Sequence, residues 1–307
     1  TAAGAATSAF SSPAFQSIVP NLVPPSDLTN AISLNSIVRQ VATIIGPVMA
    51  GVLLAQTNIG WVYALNALSF VAIVAALALI HYRAGPAAKD TGLGVAAILE
   101  GWRFVRGARI IWGSMLLDFF ATLFGSARTM LPLVADQILG MGAGGYGLLT
   151  TADAIGSLLA GLLVSLRRDI YRQGAVMLVS VAFYGVFTAL FGLSSNFAMA
   201  YFFFALIGAS DTVSTIIRQT LRQTLTPDRL RGRMTGINQI FFMGGPQLGE
   251  LEAGMVAAAF GVPFAIISGG IATVALTGYI AWRYPRLRRY TSATMAEESA
   301  AVAAAGM

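Results

Sequence analysis

Ionisable side chains occur inside stretches that are otherwise apolar enough to cross a bilayer: Arg39, Asp118, Arg128, Asp153, Asp211, Arg218, Glu250 and Glu252. Charge at membrane depth is costly, so such residues face one another or a polar cavity, and they are the first candidates for handling an ion or a substrate. A carboxylate in a low-dielectric site can take up and release a proton near neutrality, which is the chemistry that proton coupling needs. Asp211, Ser214, Thr215 and Arg218 fall at i, i+3, i+4 and i+7, which makes one polar stripe on an apolar helix. The stripe suits either the lining of a cavity or a structural Asp211 to Arg218 network. Asp118 lies two turns into its own span, where it could carry a proton, gate a path, or fix helix packing. Glu250 and Glu252 are about 200° apart around a helix and cannot share a face, with Glu252 on the side of Gly245 and Gly249. Arg39 is placed either to line a cavity or to snorkel toward the interface. Arg128 and Asp153, both unusual at their depth, are candidates to pair across adjacent spans.

These residues need helices to hold them. Spanning takes about 20 mostly apolar residues. Stretches of that kind run over Ala31–Gln56, Gly60–Tyr82, Ile110–Val134, Gly144–Leu166, Gln173–Leu193, Asn196–Gln223, Gly232–Phe260 and Val262–Tyr284. Thr1–Val19 reads as the end of a further span. Between Arg83 and Arg109 the chain turns polar, and Ile98, Trp102 and Val105 recur there at helical spacing, as expected of an amphipathic helix in the interface plane. Four regions follow: 1–83, the remainder of an N-terminal half; 84–109, a central loop; 110–290, a six-helix C-terminal half; and 291–307, an Ala-rich tail expected to be disordered.

Two stretches repeat. Ile45-Gly46-Pro47-Val48-Met49-Ala50-Gly51 is echoed by Met243-Gly244-Gly245-Pro246 with Gly249, about 200 residues later, and such a period marks a duplicated membrane half. Proline removes a backbone donor, and small residues four apart let a neighbouring backbone approach. Carrying the period back from Ile110 places the start of the first half roughly 90 residues before Thr1.

Composition sets the class. The chain is 56% hydrophobic and 10% charged, with mean hydropathy +0.73, whereas soluble domains carry near a quarter charged residues. Its net charge of +6 does not indicate nucleic acid, because every Lys and Arg except Arg39 and Arg128 lies in, or close beside, alternate connections between spans. That asymmetry predicts a cytoplasmic basic side and a cytoplasmic C-terminus. There is no cysteine, and the single histidine, His81, sits at a span's end, so neither a metal site nor a Ser-His-Asp enzyme is expected, and no cofactor. Gly140–Gly147 lacks the Gly-Lys-Ser/Thr ending of a phosphate loop and reads as a hairpin.

From about Ser8 to Arg289 the sequence resembles the major facilitator superfamily, in the exporter branch that includes enterobactin exporters and macrolide efflux proteins. The resemblance rests on Pro13-Ala14-Phe15-Gln16 with Leu22-Val23-Pro24, Asn30-Ala31-Ile32-Ser33-Leu34-Asn35, Ile45-Gly46-Pro47 with Ala50-Gly51, and Leu65-Asn66-Ala67-Leu68-Ser69-Phe70. Further along, Leu116-Leu117-Asp118, Gly145-Tyr146-Gly147-Leu148-Leu149, Arg231-Gly232-Arg233 and Met243-Gly244-Gly245-Pro246 add to it. It implies an all-α polytopic helical bundle of twelve spans in two halves, of which this chain would hold the fourth, in part, to the twelfth. It also implies proton-coupled export of a small amphipathic molecule by alternating access, from a monomer in the inner membrane. Gly46, Pro47, Ala50 and Gly51 then stand where the family's antiporter motif stands, with Gly245, Pro246 and Gly249 as their counterpart. The rival expectation is a non-transporting sensor or receptor on the same fold.

Overall fold

The computed structural model describes residues 59–79, 95–125, 127–166 and 170–291, with scattered positions between 42 and 57. Two compact units divide at Thr91 and Gly92. In the first, Ala42, Ile45, Gly46, Met49, Ala50, Gly51, Leu53 and Gln56 are helical, and α1 covers Ile59–Leu79. Trp61, Tyr63, Leu68, Phe70 and Val74 of α1 are all exposed, as suits a helix of almost unbroken apolar character.

The second unit carries the candidate chemistry. It runs α2 (Val95–Gly107), α3 (Arg109–Phe124), α4 (Ala127–Leu133), a π-helical turn (Val134–Ile138), α5 (Gly142–Ser165), α6 (Gln173–Gly192), α7 (Phe197–Thr224), α8 (Asp228–Phe260), α9 (Val262–Arg283) and the single turn α10 (Pro285–Arg288). Six stretches among the described residues are long and apolar enough to span a bilayer. To these α8 adds a helix of about 50 Å by its rise. The chain is an all-α polytopic membrane protein.

Local sequence explains several boundaries. Asn196 caps α7, its side-chain oxygen accepting from the Met199 amide at 2.9 Å, which satisfies one of the free donors of the first turn. Gly261, at φ +89°, makes the whole connection between α8 and α9, a left-handed conformation that glycine adopts freely. Pro263 follows inside the first turn of α9, where its missing N–H costs nothing. Pro246 sits within α8, which continues through it.

The span expected over Ile110–Val134 stands as one apolar stretch, Arg109–Ile138, but not as one helix: α3 ends at Phe124, and α4 and the π turn follow. The Gly125 amide bonds Ala121 at 2.8 Å, and its carbonyl accepts from the Tyr184 hydroxyl at 2.6 Å. That carbonyl also accepts from the Ala127 amide at 2.8 Å, so outside the regular helix ladder it is satisfied by a local amide and by a side chain of α6. Pro132 then removes a donor from the next turn.

Packing uses close backbone approach. A side chain at Gly156 of α5 would meet the Ala205 backbone of α7, and one at Gly185 of α6 would lie 2.8 Å from the Gly270 carbonyl of α9. Where lipid tails are as apolar as leucine, such seams supply the van der Waals contact that holds helices together. The chain that follows α9, carrying Arg286, Arg288 and Arg289, packs at the start of α6 and makes an arginine-rich end. There Leu287 and Tyr290 are buried, and the Gly174 amide donates to the Tyr290 carbonyl at 3.1 Å. The amphipathic α2 belongs to this unit: Val105 is fully buried, Trp102 stacks on Phe241 of α8 at 6.3 Å between ring centroids, and Glu100 pairs with Arg233.

Apolar side chains form two clusters along the bundle. The one at the arginine-rich end includes Ile111, Met115, Met177 and Leu221; the other includes Leu131, Leu149, Phe204 and Ile207. On α7, Ile207 belongs to one and Ile217 to the other, and Asp211 and Ser214 lie between them.

Candidate functional site

The polar stripe on α7 folds in upon Arg218. Its guanidinium donates to Ser214 Oγ and to Thr215 Oγ1, each at 2.7 Å, and reaches Asp211 Oδ1 at 3.5 Å. From α3, Asp118 Oδ1 comes within 3.1 Å of Arg218 Nη2. The second oxygen of Asp118 lies 3.8 Å from Arg222 Nη1, and that nitrogen donates to Asn238 Oδ1 on α8 at 2.6 Å. The Asp118, Arg218 and Arg222 side chains are only 5%, 4% and 7% exposed, so one aspartate is shared by two arginines with little direct contact with bulk water.

Asp211 leads away from this core. Its second oxygen is 3.4 Å from Arg128 Nη2, which also bonds both oxygens of Asp153, at 2.9 and 3.1 Å. Arg128 reaches this position because α4 begins just past the break at Gly125. Asp153 fits because Gly208 faces it without a side chain: a β-carbon there would sit 2.7 Å from Asp153 Oδ1. The Arg128 side chain is 55% exposed, against 23% for Asp153 and 28% for Asp211.

The result is a continuous relay from Asp153 through Arg128, Asp211, Arg218, Asp118 and Arg222 to Asn238, held by α5, α4, α7, α3 and α8. Its formal charges cancel. Uncompensated charge in this setting would cost several kcal/mol, so pairing explains how the residues are tolerated. A pairing chain with one sealed end and one open end can also answer a change in the charge of any member.

Cavities meet this relay. One of about 290 Å³ opens between α7 and α8, with Asp118, Arg218, Arg222, Gln219, Asn238 and Gln239 among its walls. A second, of about 10 Å³, is enclosed by Asp118, Tyr184, Asp211, Ser214 and Arg218 among others, which is about the room one water molecule needs. Arg218 Nε is buried without a hydrogen-bond partner among the described residues.

Glu250 and Glu252 stand apart from the relay. Glu250 is exposed and Glu252 half-buried. Gly245 and Gly249 are buried, and a side chain at Gly245 would run into Phe119 and Thr122 of α3; Pro246 is half-buried. In the first unit Gly46 is exposed, Ala50 half-buried and Gly51 buried. Arg39, Pro47 and His81 lie outside the described residues. The described residues hold no acidic or histidine cluster fit for a metal ion. Counted along the chain, Arg222 groups with the charges of the connections, although it continues the α7 stripe one turn past Arg218. Neither Asn238 nor Tyr184 is singled out by charge in an apolar run.

Comparison with known proteins agrees with this architecture. A family model described as transmembrane secretion effector matches residues 1–303. The enterobactin exporter EntS of Salmonella choleraesuis (strain SC-B67) is 28% identical over 252 residues, covering 81% of this chain and 60% of that protein. EntS of Escherichia coli O1:K1 / APEC is 29% identical over 221 residues, covering 71% and 52%. The chain therefore spans between half and two thirds of the length of these curated relatives. Among solved structures, a bacterial homologue of the human lysosomal transporter Spinster, inward-facing and unoccupied, superposes with TM-score 0.59 at 14% identity, covering 90% of this chain and 75% of that one. That likeness concerns the fold. The match across nearly the whole chain, on a bundle of this architecture, makes the protein a member of the transmembrane secretion effector family of the major facilitator superfamily.

Proposed function

We propose that this chain is part of a secondary active transporter that exports a small amphipathic molecule by alternating access, coupled to proton entry. The observation that carries the proposal is Asp211, the one carboxylate bonded to the arginines on both sides of it and still partly exposed. When a proton neutralises Asp211, three guanidinium groups face two carboxylates, and Arg128 and Arg218 each lose an anchor at 3.4 to 3.5 Å. The contact between α4 and α7 then loosens while the Asp118 core stays paired. A charge change of one unit thereby biases two arrangements of packed helices, which is the element a coupled transporter needs.

Asp118 serves in this scheme as the fixed anchor, since it is sealed between Arg218 and Arg222. The polar cavity beside it, rich in amide side chains, offers hydrogen bonds to a cargo. The arginine-rich end faces the cytoplasm of the inner membrane. Enterobactin is the first cargo to try, because the relatives are named for its export.

The test is efflux in inverted vesicles carrying the full chain, with enterobactin and a panel of amphipathic dyes. Cargo accumulation that a protonophore abolishes supports the proposal. Accumulation indifferent to the proton gradient overturns the coupling, and a chain that moves no cargo of the panel supports the non-transporting alternative.

A further inference from the structure

Charge alternates along the relay. Asp153, Arg128, Asp211, Arg218, Asp118 and Arg222 run acid, base, acid, base, acid, base, and beyond Arg222 comes only the neutral Asn238. Each inner member has opposite charge on both sides. At the acidic end Asp153 puts both oxygens on Arg128, so only the basic end is left short. The carboxylate nearest Arg222 is Asp118 at 3.8 Å, and Arg218 holds that group more closely, at 3.1 Å. Among the described residues the Arg222 guanidinium makes one hydrogen bond, to Asn238. Its side chain is nevertheless 7% exposed, and a buried cation is costly unless it is fully paired.

The cavity of about 290 Å³ between α7 and α8 opens on this terminal cation. We infer that it receives the anionic end of the cargo, a single carboxylate that continues the alternation on Arg222. Two arginines and one acid stand in its wall, a balance that favours an anion over a cation. A guanidinium binds a carboxylate through two parallel hydrogen bonds, which a neutral amide cannot accept in the same way. Gln219, Gln223 and Gln239 add amide donors, and Met234 and Phe242 offer apolar surface to the rest of the ligand. The volume is at the small end of ligand sites, which suits one end of a larger molecule. Arg222 stands in the last turn of α7, next to the cluster at the arginine-rich end that holds Leu221 and Met234. Cargo is taken up from that side if the chain exports. An inside-negative membrane potential also drives an anion outward, so the sign of the charge agrees with export. The inference rests on the transporter reading only in taking the ligand for cargo.

The experiment is isothermal titration of the full chain in mild detergent with three probes of one shape: 2-naphthoate, 2-naphthamide and 2-naphthamidine. Near neutral pH these are an anion, a neutral amide and a cation. The unaltered chain should bind the carboxylate about tenfold more tightly than the amide, as a charge-assisted hydrogen bond allows, and the amidine least. Arg222→Gln should remove that preference. Asn238→Asp should remove it too, because it sets a resident carboxylate at the position 2.6 Å from Arg222 while every arginine stays in place; it serves if Arg222→Gln lowers the thermal midpoint. The triple change Arg286→Gln, Arg288→Gln and Arg289→Gln, at exposed arginines after α9, should leave the preference intact. Equal binding of carboxylate and amide by the unaltered chain overturns the inference, as does binding of none of the probes. So does a carboxylate preference that survives in a folded Arg222→Gln or Asn238→Asp chain. Efflux is read apart from binding. Proton-driven efflux that is indifferent to cargo charge would sink this inference and leave the transporter reading standing, whereas selective carboxylate binding without efflux of any cargo would do the reverse.

Discussion

Replacing Asp118 by asparagine preserves side-chain shape and removes the charge that holds two guanidinium groups together. At 3.1 and 3.8 Å and an effective dielectric near 20, the two attractions are about 5 and about 4 kcal/mol before desolvation is counted. Removing one partner of a buried ionic group costs about 3–5 kcal/mol, chiefly because the other charges stay buried. Neutral hydrogen bonds between membrane helices contribute less, about 0.6 kcal/mol on average, since the dissociated helices find other partners. Arg218 would then keep a carboxylate only at Asp211, 3.5 Å away, and Arg222 only the neutral Asn238, so the expected cost is about 3 kcal/mol. Arg218→Met should cost less, because Asp118 keeps Arg222 and Asp211 keeps Arg128. In the double variant Asp118→Asn/Arg218→Met, Arg222 still bonds Asn238, so the sum of the single losses should exceed the double loss by about 2 kcal/mol. Reversible unfolding in mixed micelles reads this through tryptophan fluorescence. Trp102 and Trp112 make good probes, lying 5.6 Å apart between ring centroids in the cluster that joins α2, α3 and α8. Additivity within about 0.5 kcal/mol would refute the shared-carboxylate geometry.

Three further perturbations address the supporting frame. Gly156→Leu should prevent close packing of α5 on α7 and lower the yield of folded protein sharply, by at least about 2 kcal/mol of stability, whereas Gly144→Ala, in open space, should leave it unchanged in the same size-exclusion assay. Tyr184→Phe removes the hydrogen bond to the Gly125 carbonyl, so it should cost about 1 kcal/mol and raise amide exchange in residues 121–133 above that in α9. Glu100→Gln should weaken the docking of α2 by less than about 1 kcal/mol, because the Glu100–Arg233 pair is substantially solvent-exposed; the swap Glu100→Arg/Arg233→Glu should restore it, as read by Trp102 emission.

Sequence made the helices legible because apolar runs in a membrane protein have few alternatives: α5, α6, α7 and α9 begin and end within two residues of the expected positions. The α7 stripe was legible for the same reason, since i, i+3, i+4 and i+7 fall on one face. Less was visible at the break in the span containing Arg128. Gly125 looks like any small residue in an apolar run, and its role appears only once Tyr184, nearly 60 residues away, is seen to cap its carbonyl. Arg222 was missed because a positive charge near a helix end is expected to snorkel, yet here Asp118 and Asn238 draw it inward. The way one relay joins Arg128 with Asp153 and Asp118 with Arg218 depends on which helices are neighbours, and periodicity along one helix does not contain that. Glu250 and Glu252 show the converse, for charge in an apolar run singled them out and neither joins the relay.

The central claim is that Asp211 carries the coupling charge while Asp118 anchors the helices. It is tested most directly by comparing two activities of Asp211→Asn in proteoliposomes: gradient-driven cargo accumulation and counterflow exchange at equal pH. A coupling carboxylate is needed for the first and not for the second. The account predicts that Asp211→Asn loses driven accumulation and keeps exchange. Driven accumulation at the unaltered rate, with the relay's other members intact, would contradict it.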